Sequence, residues 1–446
     1  MPKFIYRTGT SNFSGISSSG ATLLAIMPVL AIFYILLILP FIPSDAGKER
    51  VENILFWPVA AVLTLTLVFQ NWVRLDHKFF YTLPVLSLIA YLLFAAASVT
   101  WAYNPDLAFS RLLAQVLVVI VVALPYALPI TGKYTIPSVH FCYAIALGIS
   151  AVYVLTTPPS PIGHFGYFMD KQELGLLSAT GIILSSYELL QGGKRRLVGL
   201  IVLGLGIWLV FESRSKTALA FALAALVCSW LLLLLCKKTR LTPAVFVAAV
   251  VVASMFVHNP IERIAYRLYG DSTLTNRTGI WAFTNYRISQ KPWFGWGFHS
   301  YFFVPNSPQN EAPGYIREMP SSHSGYLDLK LETGRIGYWI FLVFIYSSLH
   351  LLEQVRRKSP VRAWCYLSIQ LFAIFINLTD SNWLTLHVLW MLYLLVVAES
   401  VHFSLSSKVP GPGASTLPNS KKRQFLRIRP STSRGTPRLG LQGPTN

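Results

Sequence analysis

Apolar stretches of about 17 to 24 residues alternate with short polar connections along almost the whole chain. Twelve such runs are read, approximately 21–42, 53–73, 80–100, 107–130, 134–156, 172–190, 197–212, 217–236, 241–257, 336–353, 361–378 and 383–403. Each is long enough to cross a hydrocarbon core of roughly 30 Å as a helix. Lipid offers no partner to a backbone N–H or C=O, and the runs are too long and uniform for barrel strands, so the pattern predicts an all-α membrane protein with about twelve transmembrane helices. The two least regular runs are 172–190, which holds Glu173 and Glu188, and 197–212, which is short. No small-residue cleavage pattern follows the first run, which predicts a retained helix rather than a signal peptide.

Composition agrees with this picture. The chain is 54% hydrophobic and 12% charged, against roughly 25% charge in an ordinary soluble domain. Charge then orients it. Even-numbered connections carry "RLDHK", "GK", "GGKRR", "KKTR" and "QVRRKSPVR", which with Lys3 and Arg7 make fifteen basic residues on one side. The short odd-numbered connections hold five: Lys48, Arg50, Lys171, Arg214 and Lys216. The basic side is expected in the cytoplasm with both termini, so much of the net charge of +19 reflects topology.

The expected organisation is a cytoplasmic segment 1–20, helices over 21–257, a periplasmic loop 258–335, three helices over 336–403 and a basic tail 404–446. That tail is rich in Pro, Gly and Ser, carries eight Lys/Arg and reads as disordered, lying on anionic lipid rather than nucleic acid. Cys142, Cys228, Cys236 and Cys365 fall within or at the ends of apolar runs, and neither a disulfide on the oxidising face nor a metal-ligand spacing is indicated.

Three polar features stand out on the outer side. The turn between the seventh and eighth runs, "FESRSKTALA", puts Glu212, Arg214 and Lys216 within five residues. Its plain reading is two cations snorkelling to the interface with Ser213 capping the next helix. The alternative is an anion site, in which an arginine fork and the positive end of a helix dipole meet phosphate oxygens.

The connection 258–335 is much longer than the others and is expected to have its own elements and a function. In it, "TLTNRTGIWAFTNYRIS" places Ile280, Trp281, Thr284 and Ile288 on one face of an amphipathic interfacial helix, with Thr275 or Asn276 able to cap and Arg277 in the first turn. "QKPWFGWGFHSYF" follows, where Trp293, Phe294, Trp296 and Phe298 read as a membrane belt or a sugar-stacking platform. The third feature is "MPSSHSGYLDLKLETGRIGYW". A loop histidine is ordinarily just solvated, but His323 has Asp328, Glu332 and Asp380 as carboxylates that could orient it as a general base.

The order of "SRS" at a helix start, "NRTGIW" and "KPWFGWGF" in a large outer loop, then "SSHSGYLDLKLETGRIGY" entering the next helix, resembles the O-antigen ligase and O-antigen polymerase superfamily. The motifs cover roughly 200–400, and the chain looks most similar to exopolysaccharide repeat-unit polymerases of rhizobial type. The resemblance implies inverting, metal-independent glycosyl transfer from undecaprenyl pyrophosphate at the outer face of the bacterial inner membrane. The acceptor would be another lipid-linked repeat in a polymerase or lipid A-core in a ligase, and a chain-length-regulating co-polymerase is a partner it allows. Arg214, Arg277 and His323 match the family's functional positions, so they form the candidate catalytic set. Asp380 in "LTDSNW" matches an acidic position near the last helix, and Ser324 stands where many ligases have asparagine. The candidate substrate-binding set is Lys216, Asp380, Glu332, Arg335 and Trp281, with no metal or cofactor expected.

The chemistry suits these residues independently. Pyrophosphate is a good leaving group, so cations must stabilise the charge it gains and a base must deprotonate the attacking hydroxyl. No Asp-x-Asp pair occurs in the chain. A lipid-linked saccharide flippase is the reading of another class. It would call for repeat halves and mid-membrane charges, whereas apart from Arg111 the charges cluster at the ends of runs.

Overall fold

A computed structural model describes residues 18–42, 51–129, 135–255, 277–304 and 307–406. The expected caps at Thr275 and Asn276, most of the N-terminal segment, the first outer loop from 43 to 50 and the basic tail lie outside these residues.

The described chain is helical, with no strand among the described residues. The helices are α1 (Ser18–Leu37), α2 (Val51–Gln70), α3 (Leu83–Ser98), α4 (Pro105–Val122), α5 (Thr135–Thr156), α6 (Lys171–Gln191), α7 (Lys194–Glu212), α8 (Lys216–Thr239), α9 (Pro243–Met255), α10 (Arg277–Gln290), α11 (Gly325–Lys358), α12 (Pro360–Ile376) and α13 (Val388–Leu405). Every apolar run of the sequence coincides with one of them, and α10 is the helix expected in the large loop. Seven, namely α1, α3, α4, α5, α8, α11 and α13, are each long and apolar enough to cross a membrane, which makes this a multi-pass membrane protein.

Burial separates protein-facing from lipid-facing helices. Some 78% of the apolar window of α13 is buried, so this helix is surrounded by the others. By contrast α2 exposes Leu55, Val59, Val62 and Phe69, spaced by four, three and seven residues, a stripe suited to lipid. The α10 face differs in part from the expected one: Ile280, Thr284 and Arg287 are buried, and Ile280 packs on Ala312 and Ile316 of the loop that follows.

The element that positions the site is α11. It begins at Gly325, well before the apolar run, and is broken at Gly334, which has φ 63° and ψ −166°. A break deprives neighbouring backbone groups of their partners four residues away. The turn of "KPWFGWG" supplies replacements. Trp296 and Gly297 donate their N–H groups to the carbonyls of Leu331 and Glu332, both at 2.9 Å. Arg335 and Ile336 donate to the carbonyls of Pro292 and Trp293 at 2.9 and 3.3 Å.

Such backbone-to-backbone docking leaves no room for side chains. A Cβ on Gly334 would stand 2.2 Å from the Trp293 carbonyl oxygen, and one on Gly295 2.4 Å from that of Glu332. Both glycines have positive φ, so any replacement also carries left-handed strain. Gly334→Ala and Gly295→Ala are each expected to destabilise the protein by about 1–3 kcal/mol or more. Gly148→Ala, in α5 with open space around it, should instead stabilise by about 0.5–1 kcal/mol. Thermal unfolding in detergent, compared across the three variants, checks the difference.

Candidate active site

Loop 157–170, between α5 and α6, packs on the "SRS" turn. A Cβ on Gly163 would lie 2.5 Å from the Ser213 carbonyl oxygen, and His164 donates its backbone N–H to the Glu212 carbonyl at 3.0 Å. Ser213 does not cap the following helix. Its hydroxyl donates back to the Val210 carbonyl at 2.8 Å and accepts from the Ser215 N–H at 3.2 Å. The cap position is Ser215, which makes no side-chain cap bond and is pressed against Gly175 of α6. Arg214 is thereby held at φ 52°, exposed, with Nη1 donating to the Pro161 carbonyl at 3.1 Å. Glu212 points to His164, at 3.9 Å.

Arg277 enters from the first turn of α10 and donates to the Thr379 carbonyl. Burial lowers the pKa of its guanidinium, while Asp380 and Asp170 oppose that shift. One turn on, Trp281 donates its indole N–H to the Ser322 carbonyl at 3.1 Å, so it props the histidine loop rather than facing a cavity. Asp328 holds the same loop by accepting the Ser322 N–H at 3.0 Å.

His323 sits between these supports at φ 52°. Its Nδ1 faces Asp380 Oδ1 at 3.9 Å, too long for a hydrogen bond, and is buried without a partner. Burial works against the charge of Asp380, but His323, the Ser381 N–H, Arg277 and His387 together hold its carboxyl below the usual range. Ser324 is the residue before α11 and makes no side-chain cap bond.

These residues meet in one cavity of about 610 Å³. Its wall carries four cations, Lys171, Arg214, Lys216 and Arg277, against one carboxylate, Asp380, with His323 beside them. Five of the eight sequence candidates therefore converge: Arg214, Lys216, Arg277, His323 and Asp380. Glu332 lines a second cavity, of about 500 Å³, that shares His323 and Asp380 with the first. Arg335 lines neither; the break at Gly334 leaves it exposed, with its guanidinium 5.3 Å from the ring centre of Trp293.

The aromatic cluster divides. Trp293 and Phe294 are more than half exposed, as an interface belt requires, whereas Phe298 is fully buried and Trp296 ties its indole N–H to the Arg287 carbonyl at 3.0 Å. None of the four lines the two cavities.

Several residues of the second cavity lie outside the candidate catalytic and substrate-binding sets. His299 is held at φ 44° with Nε2 donating to the Leu384 carbonyl at 3.0 Å and Nδ1 facing Glu332 Oε1 at 3.6 Å. Burial, and then Arg111, push its pKa down to about 4, so it is neutral. Arg111 donates to the His299 carbonyl. Its signal was present in the sequence as the lone charge within the fourth run. His387 caps α13 by accepting the Leu389 N–H at 3.1 Å and meets Glu173 of α6 at 3.0 Å. Of the six described non-glycine residues with positive φ, Arg214, His299, Phe303 and His323 line one of the two cavities. Backbone strain of this kind persists where the surroundings enforce it, as at functional sites.

No curated protein matches the chain. Residues 199–342, the stretch holding Arg214, Lys216, Arg277, His323 and Glu332, match the Wzy_C family model, described as O-antigen ligase. The match spans about a third of the chain and supports its similarity to the O-antigen ligase and polymerase superfamily, whose members are membrane glycosyltransferases.

Proposed function

We propose that the protein polymerises exopolysaccharide repeat units by moving glycan from undecaprenyl pyrophosphate to a sugar hydroxyl, with inversion, at the periplasmic face of the bacterial inner membrane. The reading includes twelve membrane crossings, cytoplasmic termini and a co-polymerase as the partner that sets chain length. The observation that carries it is the single cavity in which Arg214, Lys216, Arg277 and Lys171 face His323 and Asp380.

Four cations around one cavity match a pyrophosphate diester that carries two negative charges and gains a third as it leaves. Arginine forks bind phosphate oxygens bidentately, and charge gained as the bond breaks is stabilised most in a site already polarised for it. His323, with Nδ1 turned toward Asp380, offers Nε2 to the acceptor. The acceptor O–H gives its proton to Nε2, and its oxygen attacks the anomeric carbon from the face opposite the pyrophosphate. The bond from that carbon to the phosphate oxygen breaks, and its electron pair leaves on the pyrophosphate. Asp380 stabilises the imidazolium that forms. Inversion follows from a single displacement.

Two outcomes are expected. His323→Ala should cut polymer formation by roughly 100-fold or more while leaving undecaprenyl pyrophosphate binding nearly intact, as measured with purified protein in nanodiscs. Normal polymer from this variant at normal membrane level would remove His323 as the base. Arg214→Ala should weaken undecaprenyl pyrophosphate binding by roughly ten- to a hundredfold, equivalent to the roughly 1.5–3 kcal/mol of a charged hydrogen bond; Arg214→Lys should recover only part of it, because lysine lacks the fork.

A further inference from the structure

The second cavity has the opposite polarity to the first. Five carboxyl groups line it, Asp170, Glu173, Asp328, Glu332 and Asp380, against one guanidinium, Arg111; burial raises the pKa of Asp328 to about 6 and that of Glu332 to about 8, so Glu332 is protonated near neutral pH. The two cavities meet at His323 and Asp380. An anionic ligand held among the four cations would therefore have the histidine at its edge and a carboxylate-lined chamber beyond it.

Two observations indicate what this chamber takes. Among the described residues no three His, Cys, Asp or Glu side chains are grouped so that they could hold a metal ion. The carboxylates are instead spread around the wall, where each can accept a separate hydroxyl. Asn382, only 5% exposed, also lines the chamber, and its side-chain Nδ2 is buried without a hydrogen-bond partner. A buried amide with no acceptor is costly unless a ligand supplies one. A polyol supplies both halves, hydroxyl hydrogens for the carboxylates and hydroxyl oxygens for the amide.

We infer that this chamber is the acceptor subsite and that it takes the neutral, hydroxyl-rich end of a glycan, with Asn382 and Glu332 as specificity-determining residues. This rests on the glycosyl-transfer reading above. A phosphorylated acceptor end would meet like charge from Asp328 and Asp380, while Glu332, held neutral by burial, would offer it hydrogen bonds alone. The assignment favours joining one repeat unit to another over transfer to a phosphorylated core.

The test uses full-length protein in nanodiscs, supplied with lipid-linked glycan extracted from cells that lack this gene. Glycan length is followed against substrate concentration, and undecaprenyl pyrophosphate binding is measured separately. Asn382→Ala and Glu332→Ala should each cut transfer at least tenfold at low substrate, recover at high substrate, and leave the undecaprenyl pyrophosphate Kd within twofold. Transfer at the native rate in both variants, or loss of undecaprenyl pyrophosphate binding in parallel with transfer, would overturn the subsite. Magnesium binding by the native protein that both variants abolish would also overturn it, by making the chamber a cation site. Native protein that fails to lengthen the glycan would remove the transferase reading itself, and this inference with it.

Discussion

The break in α11 at Gly334 is the constraint from which the site follows. A straight helix would carry the segment from Gly325 onward along the axis of the apolar span. With φ at 63° the chain instead turns, and the turn around Gly295 satisfies the four backbone groups that the break releases. Only glycine fits on either side of the contact. The short first segment of α11 then delivers Asp328 and Glu332 to one chamber and supports the His323 loop from below. Gly297, packed against Ala102, ties the same turn to the connection between α3 and α4.

What the break creates is a boundary between two electrostatic environments. On one side, α6, the start of α8 and α10 contribute cations; on the other, α6 and the first segment of α11 contribute carboxylates. His323 and Asp380 lie on the line where they meet. Low-dielectric surroundings strengthen interactions on both sides, so a molecule with an anionic end and a polyol end has one favourable orientation. Reaction geometry is then set by binding before any bond changes, which is how positioning lowers a barrier.

Much of this was legible in sequence because membrane helices are written as long apolar runs, and charges between them have few innocuous explanations. "SRSK", "NRTG" and "SSHSG" marked three segments that α8, α10 and α11 bring to one cavity. The break at Gly334 was not legible, since a glycine near a helix end is ordinarily a turn or a cap; only its pairing with Gly295 gives it meaning. Ser213 was read as a cap from its type, but the left-handed Arg214 moves the cap position to Ser215. The second chamber was hidden for another reason. Glu173 and His387 are 214 residues apart, as Glu332 and His299 are distant from Arg111, and no local spacing records such meetings. Arg335, a member of the candidate substrate-binding set, lines neither cavity, because the turn at Gly334 carries it onto Trp293.

The most direct measurement is an experimental structure of the protein in nanodiscs with undecaprenyl pyrophosphate bound. Both phosphates should lie among Arg214, Lys216, Arg277 and Lys171, with His323 at the edge of the site and the carboxylate-lined chamber open beyond it. Pyrophosphate seated instead beside Arg111, on the far side of His323, would contradict the account.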